Sequence, residues 1–308
     1  MNIHSAVTLH VVGNACIDTT LRVPRFPVIG ETLVAASMQE DLGGKGLNQA
    51  VAAARAGAAV RLWAAVGQDE PAGRIYARVA QEGILSSSLV ASAQPTDRST
   101  ILVDDAGENL IVSVVDCAAA FDPIEAGVLG ESLNAGDLLV MQGNLTPEVT
   151  DACLALARAR RALTIFNPSP IAMVAAMPWP LVDWVILNRG ELEFLTERAD
   201  PQAGARRLLA MGAGAVVVTL GAEGALLVDG GGSHAVEATA LPVVDTAGAG
   251  DVVCGVFAGL LARKLDPRHA LSVAVEAGSL SVSRHGTHSA CPTRTEIAAM
   301  ITRSMSLR

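Results

Sequence analysis

The residues best able to do chemistry in this sequence stand in the segment DTAGAGD, residues 245–251. The segment follows LPVV, an apolar run that predicts a strand, and precedes VVCGVFAGLLARKL, which predicts a helix. Small residues let a ligand approach the backbone, and the first amides of a helix are unpaired and attract anions. Gly248, Ala249 and Gly250 could therefore bind an anion beside the carboxylate of Asp251. Tight helix packing would explain the small residues equally well, and Asp251 could simply cap the helix.

A carboxylate beside an anion site suits phosphoryl transfer. That reaction is catalysed mainly by positioning and charge stabilisation, with a carboxylate that accepts the proton of the nucleophile. The helix dipole favours the ionised form of Asp251. The chain contains no P-loop motif, and Val253 occupies the third small position of a dinucleotide-binding fingerprint. The segment is therefore poorly explained as either of those nucleotide-binding motifs.

A second glycine cluster, DLGGKGLNQAVAAARAGA at residues 41–58, also opens a predicted helix. Gly43 and Gly44 would let a polar ligand reach backbone amides, and Asn48 would face the same region one turn later. Asp18, just after the first predicted strand, could accept hydrogen bonds from a polyol. A flexible loop and a surface turn are the structural alternatives for these two places.

The segment LNRGELEFL, residues 187–195, follows another apolar strand. Asn188 and Glu191 are three residues apart at this strand-to-helix junction, so both could project above the carboxyl ends of the strands. They could hold Mg²⁺ or phosphate oxygens, although Glu191 could equally be a helix-capping acid. His285 and His288 resemble a metal pair, but no carboxylate stands near them in sequence, which favours a polar loop.

The elements that must position these residues alternate between short β-branched runs and Ala/Leu-rich runs, a pattern typical of parallel βαβ units. Candidate strands lie at 7–13, 60–66, 137–141, 162–166, 184–187, 215–219 and 225–228. Candidate helices lie at 46–57, 71–83, 147–160, 191–197, 201–212, 249–263 and 267–284, and a helical tail follows. Residues 19–42 and 98–115 lack the helix of a crossover. We expect them to form a small separate sheet, a lid over a cleft, rather than edge strands of the main sheet.

Composition limits the classes of function. The 308 residues are 51% hydrophobic and 17% charged, which predicts a well-buried core. A net charge of −9 without a basic patch argues against nucleic-acid binding. The five cysteines are scattered without a C-x-x-C pair, as expected for reduced thiols in the cytoplasm. No apolar stretch predicts a secretion signal or a membrane span.

Three of these motifs, GGKGLNQAVAAARAGA, LNRGELEFL and above all DTAGAGD, resemble those of the ribokinase (PfkB-type) family of carbohydrate kinases. The resemblance covers nearly the whole chain, with the motifs in the family's order. It implies a doubly wound, mostly parallel α/β core flanked by helices, with an inserted β-sheet lid. The core would comprise residues 1–15, 43–97 and 116–308, and the lid residues 16–42 and 98–115.

The resemblance also implies an activity, transfer of the ATP γ-phosphate to a hydroxyl of a small sugar, with Mg²⁺ as cofactor. Asp251 would be the base, and Gly248, Ala249 and Gly250 would form the anion hole. Sugar would be bound by Asp18, Gly43, Gly44, Lys45, Asn48 and Asn144. Nucleotide would be bound by Asn188, Thr219, Gly221, Gly224, Gly248 and Gly250. Glu191 would hold Mg²⁺ through water, and Asp245 with the 285–290 loop would form a site for a monovalent cation such as K⁺.

The sequence departs from the family at Cys16, where Asn is usual, at Asn144, where Glu is usual, and at DCAAA, where GANAA is usual. Changed hydrogen-bonding partners can alter substrate discrimination strongly, so the sugar stays open. Two alternatives also stay open: a nucleoside kinase, for which Phe26 would be the lid segments' only aromatic wall, and a non-catalytic sugar-binding regulator. A homodimer through the lid is a further expectation.

Overall fold

The structure is a computed structural model that describes residues 7–85, 88–171 and 177–306. Runs rich in Val, Leu and Ile alternate with helical runs, and the chain folds into one large sheet with helices on both faces. The ends of the predicted core, residues 1–6 and 307–308, lie outside the described residues. The α/β class predicted from the sequence is confirmed.

Within the described residues the central sheet has nine strands, in the order β13-β12-β11-β10-β9-β8-β1-β4-β5. From β11 to β5 neighbouring strands are parallel, whereas β12 and β13 are antiparallel to their neighbours. The strands are β1 (Thr8–Val12), β4 (Ala59–Val66), β5 (Leu89–Ala91), β8 (Leu138–Gln142), β9 (Leu163–Asn167), β10 (Trp184–Asn188), β11 (Ala215–Thr219), β12 (Ala225–Asp229) and β13 (Gly232–Val236).

The helices are α1 (Lys45–Arg55), α2 (Glu70–Gln81), α3 (Asp116–Ala119), α4 (Val128–Ser132), α5 (Pro147–Arg160), α6 (Arg189–Thr196), α7 (Pro201–Ala210), α8 (Ala249–Ala262), α9 (Pro267–Ser281) and α10 (Arg294–Ser306). One buried apolar cluster lies between the sheet and α1, α2, α8, α9 and α10, and a second lies on the opposite face. Four helices begin at a side-chain cap followed by proline, the chemistry that favours a helix start. The capping residues are Asp69, Thr146, Asp200 and Asp266.

The predicted core elements agree with the observed ones to within about three residues at each end. Two strands were not predicted, the three-residue β5 and the edge strand β13. The prediction of a strand at LPVV was wrong, because residues 241–245 form a loop outside both sheets. Val243 is 69% exposed there, and Pro242 has no amide to give to a strand ladder. Asp245 therefore lies in this loop and does not end a strand.

The course of the chain places a crevice at one edge of the sheet. From β1 the chain runs outward through β4 and β5, and it then returns to β8 on the other side of β1. Parallel sheets bind ligands at such a switch point, beyond the carboxyl ends of the strands. Asn14 follows β1 and Asn144 follows β8, so both line the crevice.

The lid is a separate four-stranded sheet in the order β3-β2-β6-β7. Its strands are β2 (Cys16–Arg22), β3 (Ser37–Gly43), β6 (Arg98–Val103) and β7 (Asn109–Val114). Strand β2 is antiparallel to β3 and parallel to β6, and β6 is antiparallel to β7. The expectation of a small separate sheet, rather than added edge strands, is thus confirmed.

Candidate active site

The starts of α1 and α8 form the floor of the candidate site. The two helices pack closely because small residues face each other, and a Cβ at Gly259 would lie only 3.0 Å from the Ala53 Cα atom. This approach brings Asn48 and Gln49 of α1 against Asp251 in the first turn of α8. A cavity of about 630 Å³ lies between this floor and the lid.

Asp251 is fixed at the floor by two amide side chains. Asn48 Nδ2 donates to Asp251 Oδ2 at 3.1 Å, and Gln49 Nε2 donates to Oδ1 at 3.0 Å. Lys45 Nζ lies 3.9 Å from Oδ1, and the carboxylate is only 6% exposed. Asp251 lines both the larger cavity and a smaller one of about 220 Å³. A carboxylate at this junction can face an alcohol on one side and a phosphate on the other.

Sequence reasoning missed the network of amides beneath Asp251. Gln49 is fully buried, and its Oε1 atom accepts from Gln142 Nε2 at 2.8 Å. Gln49 Nε2 also donates to Asn167 Oδ1 at 3.1 Å, and Asn167 Nδ2 donates to the Ile186 carbonyl at 2.8 Å. Gln142 and Asn167 are the last residues of β8 and β9, and polar residues at the ends of apolar strands are the signal that could have found them.

The first turn of α8 faces open space. Gly248 caps the helix with φ = 75°, a left-handed conformation that favours glycine. A Cβ at Gly250 would meet nothing within 4 Å, and the Ala249 amide makes only a long 3.4 Å bond to the Thr246 carbonyl. Gly248 and Gly250 line the smaller cavity. The predicted anion-binding amides therefore stand at a helix start beside Asp251, where a phosphate could reach them.

Asp18 faces the larger cavity from the lid, and it is 7% exposed. Its Oδ2 atom accepts from Thr287 Oγ1 at 3.3 Å, and its Oδ1 atom accepts from Cys16 Sγ at 3.3 Å. Burial raises the pKa of this carboxyl, and the hydrogen bonds from Cys16, Ser99 and Thr287 oppose that effect. Gly43 lies on the neighbouring strand β3, diagonally across from Asp18, and a Cβ there would overlap the Asp18 carboxylate. Its lack of a side chain thus makes room for Asp18.

Of the remaining residues predicted to bind sugar, most line the wall of the larger cavity and one is buried in the packing beside it. Gly44, Lys45, Asn48 and Asn144 line the larger cavity, whereas Gly43 is buried. Gly44 has φ = 92°, and a Cβ there would lie 2.9 Å from the Asn14 carbonyl oxygen, so this position requires glycine. Gly43 thus makes room for the Asp18 side chain and Gly44 for the backbone after β1, and Gly44 still lines the cavity.

Cys16, one of the departures from the family pattern noted in the sequence, lines the larger cavity. Burial, with the nearby Asp18 carboxylate as a second cause, raises the pKa of its thiol well above the ordinary value. The thiol therefore stays protonated and can donate only a weak hydrogen bond.

The smaller cavity lies beyond β10 and β11. Asn188 and Glu191 line it and form a capping box: Asn188 Oδ1 accepts from the Glu191 amide at 2.8 Å, and Glu191 Oε2 accepts from the Asn188 amide at 2.9 Å. The helix-capping alternative for Glu191 is therefore realised, yet its carboxylate still faces the cavity. Thr219 also lines this cavity, whereas Gly221 and Gly224 flank the turn that joins β11 to β12. At Gly224, a Cβ would overlap the Val236 carbonyl oxygen.

Asp245 joins two loops at the rim of the larger cavity. Its Oδ1 atom accepts from the Ala247 amide at 2.9 Å, and its Oδ2 atom accepts from the Gly286 amide at 3.2 Å. His285 contacts Arg22 at 3.1 Å across the cavity rim, while His288 is 2% exposed. Among the described residues no three His, Cys, Asp or Glu side chains cluster as a metal site. The two histidines lie in one loop, in which His285 is exposed and His288 is buried.

The sequence matches the family described as pfkB family carbohydrate kinase over residues 8–294, and the chain belongs to that family. The fold class and the class of activity predicted from the motifs, a carbohydrate kinase, are thereby confirmed. Among the helices of residues 7–306 that the structure describes, none combines the length and apolar character needed to cross a membrane.

Ribokinases are among its relatives. The chain is 30% identical to ribokinase of Haemophilus influenzae over 94% of this chain and 96% of the relative. The ribokinase structure from Thermotoga maritima superimposes with a TM-score of 0.86 at 28% identity, covering 96% of this chain and 99% of that one. Ribokinase from Cryptococcus neoformans, solved in complex with ADP, superimposes with a TM-score of 0.83 at 27% identity, covering 96% and 99%.

Proposed function

We propose that this protein transfers the γ-phosphate of ATP to a hydroxyl of a small sugar, as its ribokinase relatives do. The observation that carries the proposal is the position of Asp251, whose carboxylate lines both cavities at the start of α8. Sugar would occupy the larger cavity and ATP would extend into the smaller one. The relation to ribokinases, one of them solved with ADP, supports this choice of substrates.

Asp251 accepts the proton of the attacking hydroxyl in this mechanism. Asn48 and Gln49 hold the two oxygens of its carboxylate, so that the alcohol meets an oriented base. The amides of Gly248, Ala249 and Gly250 stabilise the charge on the transferred phosphoryl group. Lys45 lies beside the same carboxylate and can add positive charge there.

Sugar hydroxyls are bound by polar groups on both sides of the larger cavity. Asp18 approaches from the lid, Asn48 from the floor and Asn144 from the crevice after β8. Gly43 and Gly44 shape this wall by leaving room for Asp18 and for the backbone after β1.

ATP binds beside Asn188 and Thr219, with the turn from Gly221 to Gly224 at the outer edge. Carboxylate oxygens of Glu191 and Asp251 line the smaller cavity, a donor set that fits Mg²⁺, which prefers oxygen ligands. Glu191 would hold the ion through water. Mg²⁺, when bound, would neutralise charge on the phosphate oxygens. Asp245 would supply a carboxylate to K⁺ next to the anion hole.

The larger cavity favours a sugar over a nucleoside. Its lining residues among those described include no Phe, Tyr or Trp side chain, and Phe26 is not part of its wall. A flat base gains much of its binding from aromatic stacking, which this cavity does not offer. Polar side chains of the lid and floor instead suit a polyhydroxylated ligand.

A substrate panel tests the proposal. The purified protein is incubated with ATP and Mg²⁺, with and without K⁺, against pentoses, hexoses, polyols and nucleosides, and ADP release is measured. We expect phosphorylation of at least one sugar, and phosphorylation about a thousandfold slower with Asp251→Asn under the same conditions. Activity confined to nucleosides would indicate a nucleoside kinase. Sugar binding by calorimetry without any phosphorylation would indicate a regulator.

The outer face of the lid supports a homodimer. On β7 the side chains of Leu110 and Val112 are 44% and 63% exposed, and Met38 on β3 is 67% exposed. Such an apolar sheet face is commonly covered by a partner. Sedimentation velocity should show a dimer that Val112→Lys dissociates, and a wild-type monomer would contradict it.

We also place the protein in the cytoplasm, since its five cysteines are free thiols.

A further inference from the structure

The inner face of the lid is a regular grid of side chains. Its four strands are paired in register, so alternate residues of each strand face the cavity in three rows. The rows are Ser37–Arg22–Val103–Asn109, Gln39–Thr20–Ile101–Ile111 and Asp41–Asp18–Ser99–Ser113. All of these residues line the larger cavity. The third row, here called the serine row, is polar along its whole length.

Hydrogen-bonding groups connect Ser113, Ser99 and Asp18 of the serine row, with Cys16 beside them. Ser99 Oγ and Ser113 Oγ are 3.0 Å apart on neighbouring strands. Ser99 Oγ is 4.0 Å from Cys16 Sγ, which in turn donates to Asp18 at 3.3 Å. Ser113 lies on an exposed strand at the edge of the cavity, so its hydroxyl is accessible to a ligand.

The row next to the serine row, which contains Ile101 and Ile111, limits where a ligand can form hydrogen bonds with β6 and β7. The cavity-facing residues next to Ser99 and Ser113 on the same two strands are Ile101 and Ile111, which are apolar. The two serines are therefore the polar groups that β6 and β7 offer to a ligand in this part of the cavity. A serine hydroxyl both donates and accepts, which suits a neutral hydroxyl of a ligand. The carboxylates of Asp18 and Asp41 in the same row disfavour an anionic substituent.

We propose that Ser99 and Ser113 bind a sugar hydroxyl other than the one that Asp251 deprotonates, and that they select substrates by that hydroxyl. This inference rests on the proposed function, because it requires a sugar in the larger cavity. The two serines bind from the lid while Asp251 acts from the floor, so a substrate must reach both at once. A sugar without the matching hydroxyl leaves the serine pair without its ligand partner and binds less well.

The test combines variants with deoxy sugars. Ser99→Ala, Ser113→Ala and the double variant are compared with Thr100→Ala, a control on β6 whose side chain belongs to the opposite, exposed face. Each is assayed with the sugar that the wild type phosphorylates best and with that sugar's monodeoxy analogues. Analogues that are not phosphorylated are measured as competitive inhibitors.

We expect the double variant to lose about tenfold in kcat/KM on the parent sugar, the value of one good hydrogen bond, and Thr100→Ala to lose nothing. For one deoxy analogue the wild type should show the same loss, and the double variant should lose nothing more. That non-additivity identifies the hydroxyl that the serines bind.

Equal losses on every substrate would mean that the serines only support the pairing of β6 with β7, and would overturn the inference. So would variants with wild-type kinetics throughout. Those two outcomes leave the proposed function intact, because the wild type still phosphorylates sugar. A wild type that phosphorylates no sugar would overturn both proposals. Because the wild-type protein is assayed first, this failure is distinguished from a failure of the serine proposal alone.

Discussion

The floor and the lid face the same cavity but hold their carboxylates differently. Asp251 on the floor is fixed by two amide donors, and beneath it lies a buried network that links α1, β8 and β9. Asp18 on the lid is equally buried, yet its partners are the Cys16 thiol and the Thr287 hydroxyl, both at 3.3 Å, and the Ser99 hydroxyl. Amides form stronger hydrogen bonds than thiols do.

The difference separates two tasks. A base that serves phosphoryl transfer must be pre-positioned for every substrate, and a network anchored on the sheet provides that rigidity. The weaker hydrogen bonds of Asp18 lie on the lid, away from this network. They can be replaced by hydrogen bonds to a substrate without moving the Asp251 carboxylate. We therefore expect changes on the floor to lower kcat and changes on the lid to alter KM and substrate choice.

Asp251→Asn should have the largest effect and breaks the floor itself. The amide keeps the size of the side chain but cannot accept a proton, so kcat should fall by about a thousandfold. ATP binding should persist, because the amides at the start of α8 remain. Stopped-time assays of product and calorimetry with ATP check the two halves of this prediction. Near-normal turnover would exclude Asp251 as the base.

His288 lies in the loop that joins the floor to the lid, and it should make the stability of the protein depend on pH. In this loop Thr287 contacts Asp18 and Ser289 contacts Asp41. Burial lowers the pKa of the His288 imidazole to about 4, and the neighbouring Arg78 and Arg55 add to this against Asp41 and Glu82. The unfolded chain takes up this proton below about pH 6.5, whereas the folded protein resists it until about pH 4. The stability that His288 contributes is therefore complete at neutral pH and is lost as the pH falls.

That loss should reach up to about 3 kcal/mol between pH 7 and pH 4. Urea unfolding over this range should show a shallower pH dependence for His288→Met than for the wild type. His285→Asn, in the same loop but exposed, should keep the wild-type slope. If all three proteins lose stability in parallel, the buried imidazole does not control it.

Gln49→Ala weakens the floor without touching a substrate, since Gln49 is a positioning residue. It removes one hydrogen-bond partner from each of Gln142, Asn167 and Asp251, and the free energy of unfolding should fall by about 2 kcal/mol. We expect kcat to fall about tenfold, with the KM for sugar little changed, because one amide still holds Asp251. The surface variant Gln81→Ala controls for loss of a glutamine from a helix. A change confined to KM would contradict this role.

The sequence predicted the floor better than the lid. Glycines and aspartates at helix starts carry recognisable chemistry, so Gly248 and Asp251 could be identified from their neighbours alone. Gln142 and Asn167 carry only the weaker signal of an amide at the end of an apolar strand, and their contact with Gln49 depends on the order of the strands, which no motif gives.

The same limit applies to the elements. Core helices and strands follow periodicities of 3.6 and 2 residues, and these predicted most of them. LPVV has a strand's composition, but none of the described strands pairs with it, and its residues alone do not show whether a partner strand is present. The serine row depends on the register of β6 with β7, which the turn and the packing set rather than any motif.

Asp18→Asn should have the smallest effect of these changes, and it tests directly whether the lid carboxylate acts in sugar binding alone. The amide can still occupy the space that Gly43 provides, but it replaces a charged acceptor with a neutral one. Charged hydrogen bonds are about twice as strong as neutral ones, so the KM for sugar should rise by about fivefold. The kcat and the affinity for ATP should stay near wild type, because the floor is unchanged. Glu40→Gln, on the outer face of the same lid, is the matched control, since its exposed ion pair with Arg74 contributes little. A fall in kcat as large as that of Asp251→Asn would mean that the lid takes part in the chemical step, and the separation of floor and lid would be wrong.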